Sequence, residues 1–479
     1  MEPVSLLKTV VFLPLIGAFL IPLANLISKE VRNAFSVCLG VLTFASAVLL
    51  VPSGALNNPV NINVAFPLGF NFVLMADSLS VFMAAVSSFV SMIILFYSVD
   101  YISHYENQTE YYTMVVLFLG SMMGLVFSGN LIWLYGFWEL TGFASWRLVG
   151  FFRSDRDVAK ANKTILVTVF GALLMLLGII MVYFEKGTLN LYEMRKEHIS
   201  FLASALILAG IFSKSATLPF STWLPDAGVA PSTVTSLLHA AVLVKIGIYA
   251  YARIFGVTLI APESFSYTVT LLAGLSAIIS AGAAIIETDI KRIIAYSTVS
   301  QLAFIFLGLA SGNQAAFAGG LLYILMHSVA KGGLFLCAGI IEQKTHTKDI
   351  MKMGGLYKTM PVTGLSFALC SLSVMGIPPF GGFFSKFLVF KGAVESGNII
   401  ILSLFVIGAV MTLIYLSRLF YLVFLGEYKS GSAAPEEGSP SMVASVAMLA
   451  FTGILLGFLA TYPFNYAVMI SRQLGVNLQ

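Results

Sequence analysis

The sequence predicts an all-α integral membrane protein of about fourteen transmembrane helices, with two inverted five-helix repeats and two broken helices. Three observations predict it. First, 58% of the residues are hydrophobic and 10% are charged, where a soluble domain carries about 25% charged residues. Second, apolar runs of about 20 residues, the length that crosses a bilayer, recur along the chain. Third, two of these runs, five helices apart, are interrupted by proline.

In chain order, apolar runs set against charged or Pro/Gly breaks give spans at 5–27, 33–51, 75–99, 111–128, 130–151, 163–185, 200–224, 231–254, 266–286, 293–311, 314–341, 361–394, 398–425 and 440–468. The first holds Pro14 and Pro22, is too long for a signal-peptide core, and reads as a retained helix. Segment 52–74 is uncharged, rich in Asn and Pro and alternating, which reads as a short hairpin on the membrane surface. The seventh span contains Pro219; the twelfth contains Pro378, Pro379, Gly381 and Gly382 at its centre. Proline frees a helix carbonyl, which at membrane depth is tolerated only against protein or a wet cavity. The two breaks divide the chain into an N-terminal part, 1–110, a repeat over 111–256, a second over 257–425, and a C-terminal helix within 426–479.

One set of alternate loops holds thirteen lysines and arginines (Lys29, Lys160, Lys291 and Lys348 among them) against six on the other side, Arg253 included. That bias places the first set in the cytoplasm and both termini outside. Arg147 and Arg418 fall near cytoplasmic helix ends, where snorkelling accounts for them. Cys38, Cys337 and Cys370 are far apart in apolar segments and read as buried thiols.

Five ionisable groups stand alone in otherwise apolar helices: Glu139, Lys214, Lys245, Lys331 and Lys386. Each costs about 2.5–3.5 kcal/mol on insertion scales. A structural ion pair or a snorkelling side chain accounts for any one of them. It does not account for the set, because four lysines and one carboxylate cannot neutralise each other. A path for protons or cations does. By rise per residue the first four sites lie at similar depth, which suits lateral relay along the membrane plane. A lysine carries protons near neutral pH only where its pKa falls from about 10.4 towards 7, roughly 4–5 kcal/mol, which burial supplies and a nearby carboxylate opposes. Glu139 beside Lys214 would thus act as a switch. His327, one turn from Lys331, either joins the relay or serves as a satisfied core donor. His239 is weaker, being six residues and roughly 120° from Lys245 on a regular helix. Asp226 and Asp77 lie near helix ends, where turn or capping roles are expected.

No phosphate loop, HExxH or GxSxG is present, and a net charge of +4 without a basic tail gives no nucleic-acid footprint. No cofactor is expected on the chain, so its driving force must come from an ion gradient or a partner.

At WELTGF, KSATLPFSTWLPDAG, LLHAAVLVKIGIY, TDIKRIIAYSTVSQL, HSVAKGGLFLCAG and GIPPFGGFFSK the chain resembles the antiporter-like membrane subunits of respiratory complex I, the Mrp cation/proton antiporters and energy-converting membrane-bound hydrogenases. The resemblance runs from about Asp77 to Arg418. It implies that Glu139 and Lys214 form a coupled pair, that Lys245, His327 and Lys331 form a central relay, and that Lys386 is the lysine of the last broken helix, with His239, Asp226, Pro219 and Pro378 in support. It also implies partners: homologous and small membrane subunits, and an iron–sulfur or nickel-iron redox arm, with protons or Na+ as cargo. Departures exist. Trp146 and Arg147 replace the usual Tyr-Leu, and Pro231-Ser232-Thr233 replaces Pro-Thr-Pro. The leading expectation is an ion-translocating subunit of a redox-driven complex in the cell membrane; a gradient-driven sodium/proton antiporter subunit is the alternative, and a structural scaffold with degenerate motifs is a distant third.

Overall fold

A computed structural model describes residues 2–54, 59–67, 70–429 and 435–475. Two long helices open the chain, α1 (Pro3–Ile27) and α2 (Lys29–Leu49), followed by one turn, α3 (Val51–Gly54). A hairpin comes next, β1 (Val60–Val64) antiparallel to β2 (Phe72–Ala76), with Val60 opposite Ala76. The surface hairpin expected at 52–74 is therefore present, displaced towards the next helix; residues 55–58 and 68–69 lie outside the described residues. Then come α4 (Ser78–Tyr101), α5 (Gln108–Phe127), α6 (Leu131–Val149), α7 (Asp155–Lys186), β3 (Glu197–His198) and α8 (Phe201–Lys214). After a break, α9 (Trp223–Asp226) leads to a continuous helical stretch over 232–258. It comprises α10 (Ser232–Ser236), a widened π-helical segment Leu237–Ala241, α11 (Leu243–Tyr251) and a second widened segment, Ala252–Thr258. Beyond β4 (Leu259–Ile260) run α12 (Glu263–Ile286), α13 (Ile290–Ala310), α14 (Gln314–Thr345), α15 (Pro361–Met375), α16 (Gly381–Glu395), α17 (Ile399–Phe424), α18 (Pro440–Phe458) and α19 (Thr461–Gln473).

Short polar side chains start these helices. Ser28, Asn130, Ser154, Ser200, Asp289, Asn313 and Asn398 each accept hydrogen bonds from first-turn backbone N–H groups that would otherwise lack partners at the membrane surface. Among the described residues eleven helices are long and apolar enough to cross a membrane. Helices α8 and α15, the first halves of the two broken spans, are apolar but short. Helix α6 is absent from the eleven because Glu139, Arg147 and three tryptophans dilute its apolar run.

The bundle is layered. The 232–258 helix, α13 and α14 are buried on nearly every side. Peripheral helices keep an apolar stripe outward: on α7, Leu166, Phe170, Leu173, Leu177 and Phe184 recur at helical spacing and are exposed. Lipid tails satisfy such a stripe, whereas the charged side chains of the inner helices must face protein.

The two breaks are built alike. Thr217 N–H closes onto the Phe212 carbonyl, and Ile377 N–H onto the Leu372 carbonyl, each spanning five residues at a helix end. At the second break Gly376 adopts φ +82°, and a Cβ on Gly382 would lie 1.8 Å from the Ser373 carbonyl oxygen, so only glycine lets the two halves meet.

Several expectations are corrected. The last span, read as 440–468, ends at Phe458; α19 is a separate amphipathic helix whose Tyr466 hydroxyl reaches the Ser78 carbonyl at 3.5 Å. Arg253 is no loop residue. It is 2% exposed and grips Asp77 with two bonds of 2.6 and 2.7 Å, while Asp77 also caps α4 through Ser80. Removing either partner of such a pair costs about 3–5 kcal/mol. Arg147, at the end of α6, forms an ion pair with Glu110. Cys38 is exposed, since it faces outward from α2.

Asp226 is neither a turn nor a capping residue. Lys160 and Arg292 contact one of its oxygens at 2.9 Å each, and Lys163 the other at 2.7 Å. Burial pushes its pKa up, but these hydrogen-bonded cations outweigh burial and hold the carboxyl at about 2. This cluster draws α7, α9 and α13 together at the end of the bundle where the lysine-rich loops meet.

Candidate functional site

The ionisable residues fall into two groups. The first lies between α6 and α8. Lys214, 1% exposed, ends α8 at the break and donates to the Trp138 carbonyl at 3.0 Å, its Nζ also lying 5.4 Å from the centre of the Trp138 ring. Glu139 follows Trp138 on α6, and its Oε1 is buried without a hydrogen-bond partner. The expected carboxylate–ammonium contact is thus open: no ion pair joins Glu139 to Lys214. Gly142 marks the space between them, for a Cβ there would sit 3.4 Å from Lys214 Nζ and 4.0 Å from Glu139 Oε2. With no side chain at Gly142, the Glu139 carboxylate and the Lys214 ammonium are free to approach by side-chain rotation.

This gives a first prediction. Gly142→Ala meets only ordinary contacts and gains about 0.5–1 kcal/mol of helix stability, so the chain should accumulate normally. Its methyl group would separate the two charges. Ion transport by the assembled protein, measured in sealed vesicles, should fall severalfold with no loss of protein; unchanged transport would show that the two charges never close.

The second group lies among the innermost helices. Lys245 Nζ and His327 Nδ1 are 2.7 Å apart, across the interface of α11 and α14. His327 was expected to work with Lys331, one turn along its own helix. Its hydrogen bond goes instead to Lys245, while Lys331 turns to α13, bonding the Ser297 hydroxyl and the Ile294 carbonyl. His327 Nε2 is buried and unpartnered. When Lys245 donates, Nδ1 accepts and the ring proton sits on Nε2; when Lys245 is neutral, Nδ1–H donates to it. One proton can pass either way over 2.7 Å with no heavy atom moving. Two adjacent cations repel, so the pair holds one charge at a time.

Lys386, on the far half of the second break, donates to the Val374 carbonyl at 2.7 Å, a group that the break leaves free. Its ammonium lies 4.8 Å from the Phe304 ring centre and 5.6 Å from that of Tyr323. The Tyr323 ring packs edge-on to His327 at 6.1 Å, and its hydroxyl donates to Gln301, which in turn reaches Thr412 and Tyr415. Lys386, Tyr323, His327 and Lys245 therefore form one contiguous chain. Among the described residues no side-chain hydrogen bond joins this group to Lys214. Helices α8 and α11 nonetheless touch there, at Gly247, where a Cβ would come 2.6 Å from the Ile211 carbonyl oxygen.

His239 lies in the π-helical segment Leu237–Ala241, so the regular-helix angle to Lys245 does not apply. It is fully buried, its ring centre lies 4.5 Å from that of Phe335, and neither ring nitrogen has a partner. Pro219 and Pro378 both lie in the non-helical breaks. Sequence reasoning missed Ser297, Gln301, Tyr323, Thr412 and Tyr415. Their one signal is polar spacing inside apolar runs, as in YSTVSQ.

Residues 128–412 match the family described as "NADH:quinone oxidoreductase/Mrp antiporter, TM", and residues 62–112 match "NADH-Ubiquinone oxidoreductase (complex I), chain 5 N-terminus". The chain belongs to this antiporter-like family. Among its relatives is the Na(+)/H(+) antiporter subunit A1 of Staphylococcus saprophyticus, 34% identical over 95% of the chain; that of Staphylococcus haemolyticus is 32% identical over the same share. The chain spans 61% of the length of each. Solved structures share the antiporter-like fold. A chain of the Mrp complex from a Dietzia species superposes with a TM-score of 0.88 at 23% identity, covering 99% of this chain and 98% of that one. A chain of the membrane-bound sulfane sulfur reductase, an archaeal respiratory membrane complex, superposes with a TM-score of 0.87 at 23% identity, covering 99% of each.

Proposed function

We propose that the chain translocates protons, or exchanges them for sodium, as one subunit of a redox-driven multisubunit membrane complex. The ion-carrying row runs from Glu139 and Lys214 through Lys245, His327 and Lys331 to Lys386, across two inverted repeats over 111–256 and 257–425. The observation that carries the reading is the Lys245–His327 contact, a proton-sharing pair on helices shielded from lipid on nearly every side. Homologous membrane subunits and an iron–sulfur or nickel-iron arm are the proposed partners, and charge displacement along the row passes their signal laterally.

A second reading, a subunit of a gradient-driven sodium/proton antiporter, draws on the relatives named Na(+)/H(+) antiporter subunit A1. Purification separates the two. The redox reading expects little transport from the isolated chain in liposomes and a co-purifying iron–sulfur arm. Sodium/proton exchange by the protein without any redox partner would establish the second reading instead.

The proposed location is the cell membrane, with the lysine-rich loops in the cytoplasm and both termini outside. The C-terminal site at Gln479 lies outside the described residues, so the test uses the loop after α14. A cysteine replacing Lys348 should resist a membrane-impermeant thiol reagent in intact cells and react in inverted vesicles. The opposite pattern would invert the topology.

A further inference from the structure

Where the C-terminal ends of α4 and α14 meet the start of α18, a cavity of about 990 Å³ opens on the side of the lysine-rich α14 loop, with Asp100, Tyr101, His104, Glu342 and Lys348 among its lining residues. Lys348 bonds Glu342 Oε1 at 3.1 Å, while Oε2 accepts from Lys291 at 3.0 Å and from the Ser232 hydroxyl at 3.3 Å. The sequence places Lys291 in a loop, yet it is 1% exposed and also donates to the Ala230 carbonyl at 2.8 Å. This latched carboxylate plays no part in the row described above.

From Glu342 a polar seam runs inward. Ser232 and Ser236 follow one turn apart on the 232–258 helix, and beyond them the His239 ring packs against Phe335, so all three meet α14. Glycines of α14 face them. A Cβ on Gly339 would lie 2.7 Å from Ser232 Cβ, and one on Gly332 would lie 3.8 Å from Ala240 Cβ. Ser236 donates to the Gly332 carbonyl at 3.4 Å, next to Lys331. Small residues and hydroxyls also serve plain helix packing in membranes. Packing does not account for the seam's two ends, an acid exposed to a wet cavity and a buried histidine with both ring nitrogens unpartnered.

We infer that this seam is the proton entrance to the central lysines from the lysine-rich face, with Glu342 as its outer acceptor and Lys291 as the latch; this rests on the translocation reading above. Glu342 takes a proton from cavity water, leaving hydroxide that bulk buffer neutralises, and Lys291 loosens as its partner loses charge. The proton then moves by hydroxyl relay, Ser232 and Ser236 each accepting one and donating one, with a water between them because side chains one turn apart are about 5–6 Å from each other. A ring nitrogen of His239 receives it, and the neighbouring lysines take it on.

The test uses the whole complex, with Cys38, Cys337 and Cys370 replaced by serine and Ser232→Cys or Ser236→Cys introduced, in sealed membranes of both orientations. A small, cationic, membrane-impermeant thiol reagent should react with Ser232→Cys from the lysine-rich face only, and modification should stop proton movement. Separately, Glu342→Gln with Lys291→Met, which removes both charges of the buried pair and leaves only the partly exposed Lys348 without its carboxylate, should lower proton movement about 100-fold, the scale of one positioned proton-transfer group. A transporting complex in which Ser232→Cys stays closed to the reagent, or works unchanged once fully modified, overturns the entrance. A parent complex that moves no ion at all contradicts the proposed function instead, while labelling still reports whether the seam is open to water.

Discussion

Replacing Lys214 by methionine, or Glu139 by glutamine, should abolish ion transport while leaving assembly intact. Each change removes a charge at nearly constant volume, so the packing of α6 and of α8 against α7 survives. Methionine cannot donate to the Trp138 carbonyl, but one hydrogen bond from a charged donor contributes only about 1.5–3 kcal/mol, too little to unfold a bundle of this size. What disappears is the charge that must move. In sealed vesicles, at matched subunit content, either variant should lose the whole share of transport that this chain carries. Normal transport by Lys214→Met would mean that the lysine is structural.

The second large effect is expected at the central pair. Lys245→Met leaves His327 Nδ1 buried without a donor, and His327→Phe leaves the Lys245 ammonium beside an apolar ring. Both break the 2.7 Å proton-sharing contact. The second costs more stability, since an unpaired buried charge is more destabilising than an unpaired ring nitrogen. The share of transport that this chain carries should vanish in both, and the double variant should be no worse than either single one, as expected of two residues that act as one carrier. Additive partial losses would instead place them on separate paths.

The membrane class, the hairpin and both broken helices were legible in the sequence because each rests on local chemistry: apolar run length, alternation and proline. The charged row was legible for the same reason, each member being conspicuous in an apolar run. Pairing was not. Lys245 and His327 are 82 residues apart, and a helix period links His327 only to Lys331, its neighbour by spacing. The partner of Lys214 is a backbone carbonyl, which every residue has and no pattern marks. Lys291, Glu342 and Arg253 lie near the ends of apolar runs, where a charge reads as a loop residue; their burial depends on which helices pack against them. Asp226 gathers three cations from α7 and α13, again through space. The π-helical turn around His239 changes that residue's facing without any proline or glycine to announce it.

The central claim is that ions pass through this chain rather than beside it. The most direct measurement is the number of ions moved per driving turnover by the whole complex in liposomes, with the wild-type chain and with Lys214→Met. If the account is right, the variant complex still turns over with all its subunits present and moves fewer ions per turnover, by the full share that this chain carries. An unchanged ratio in the Lys214→Met complex would contradict it.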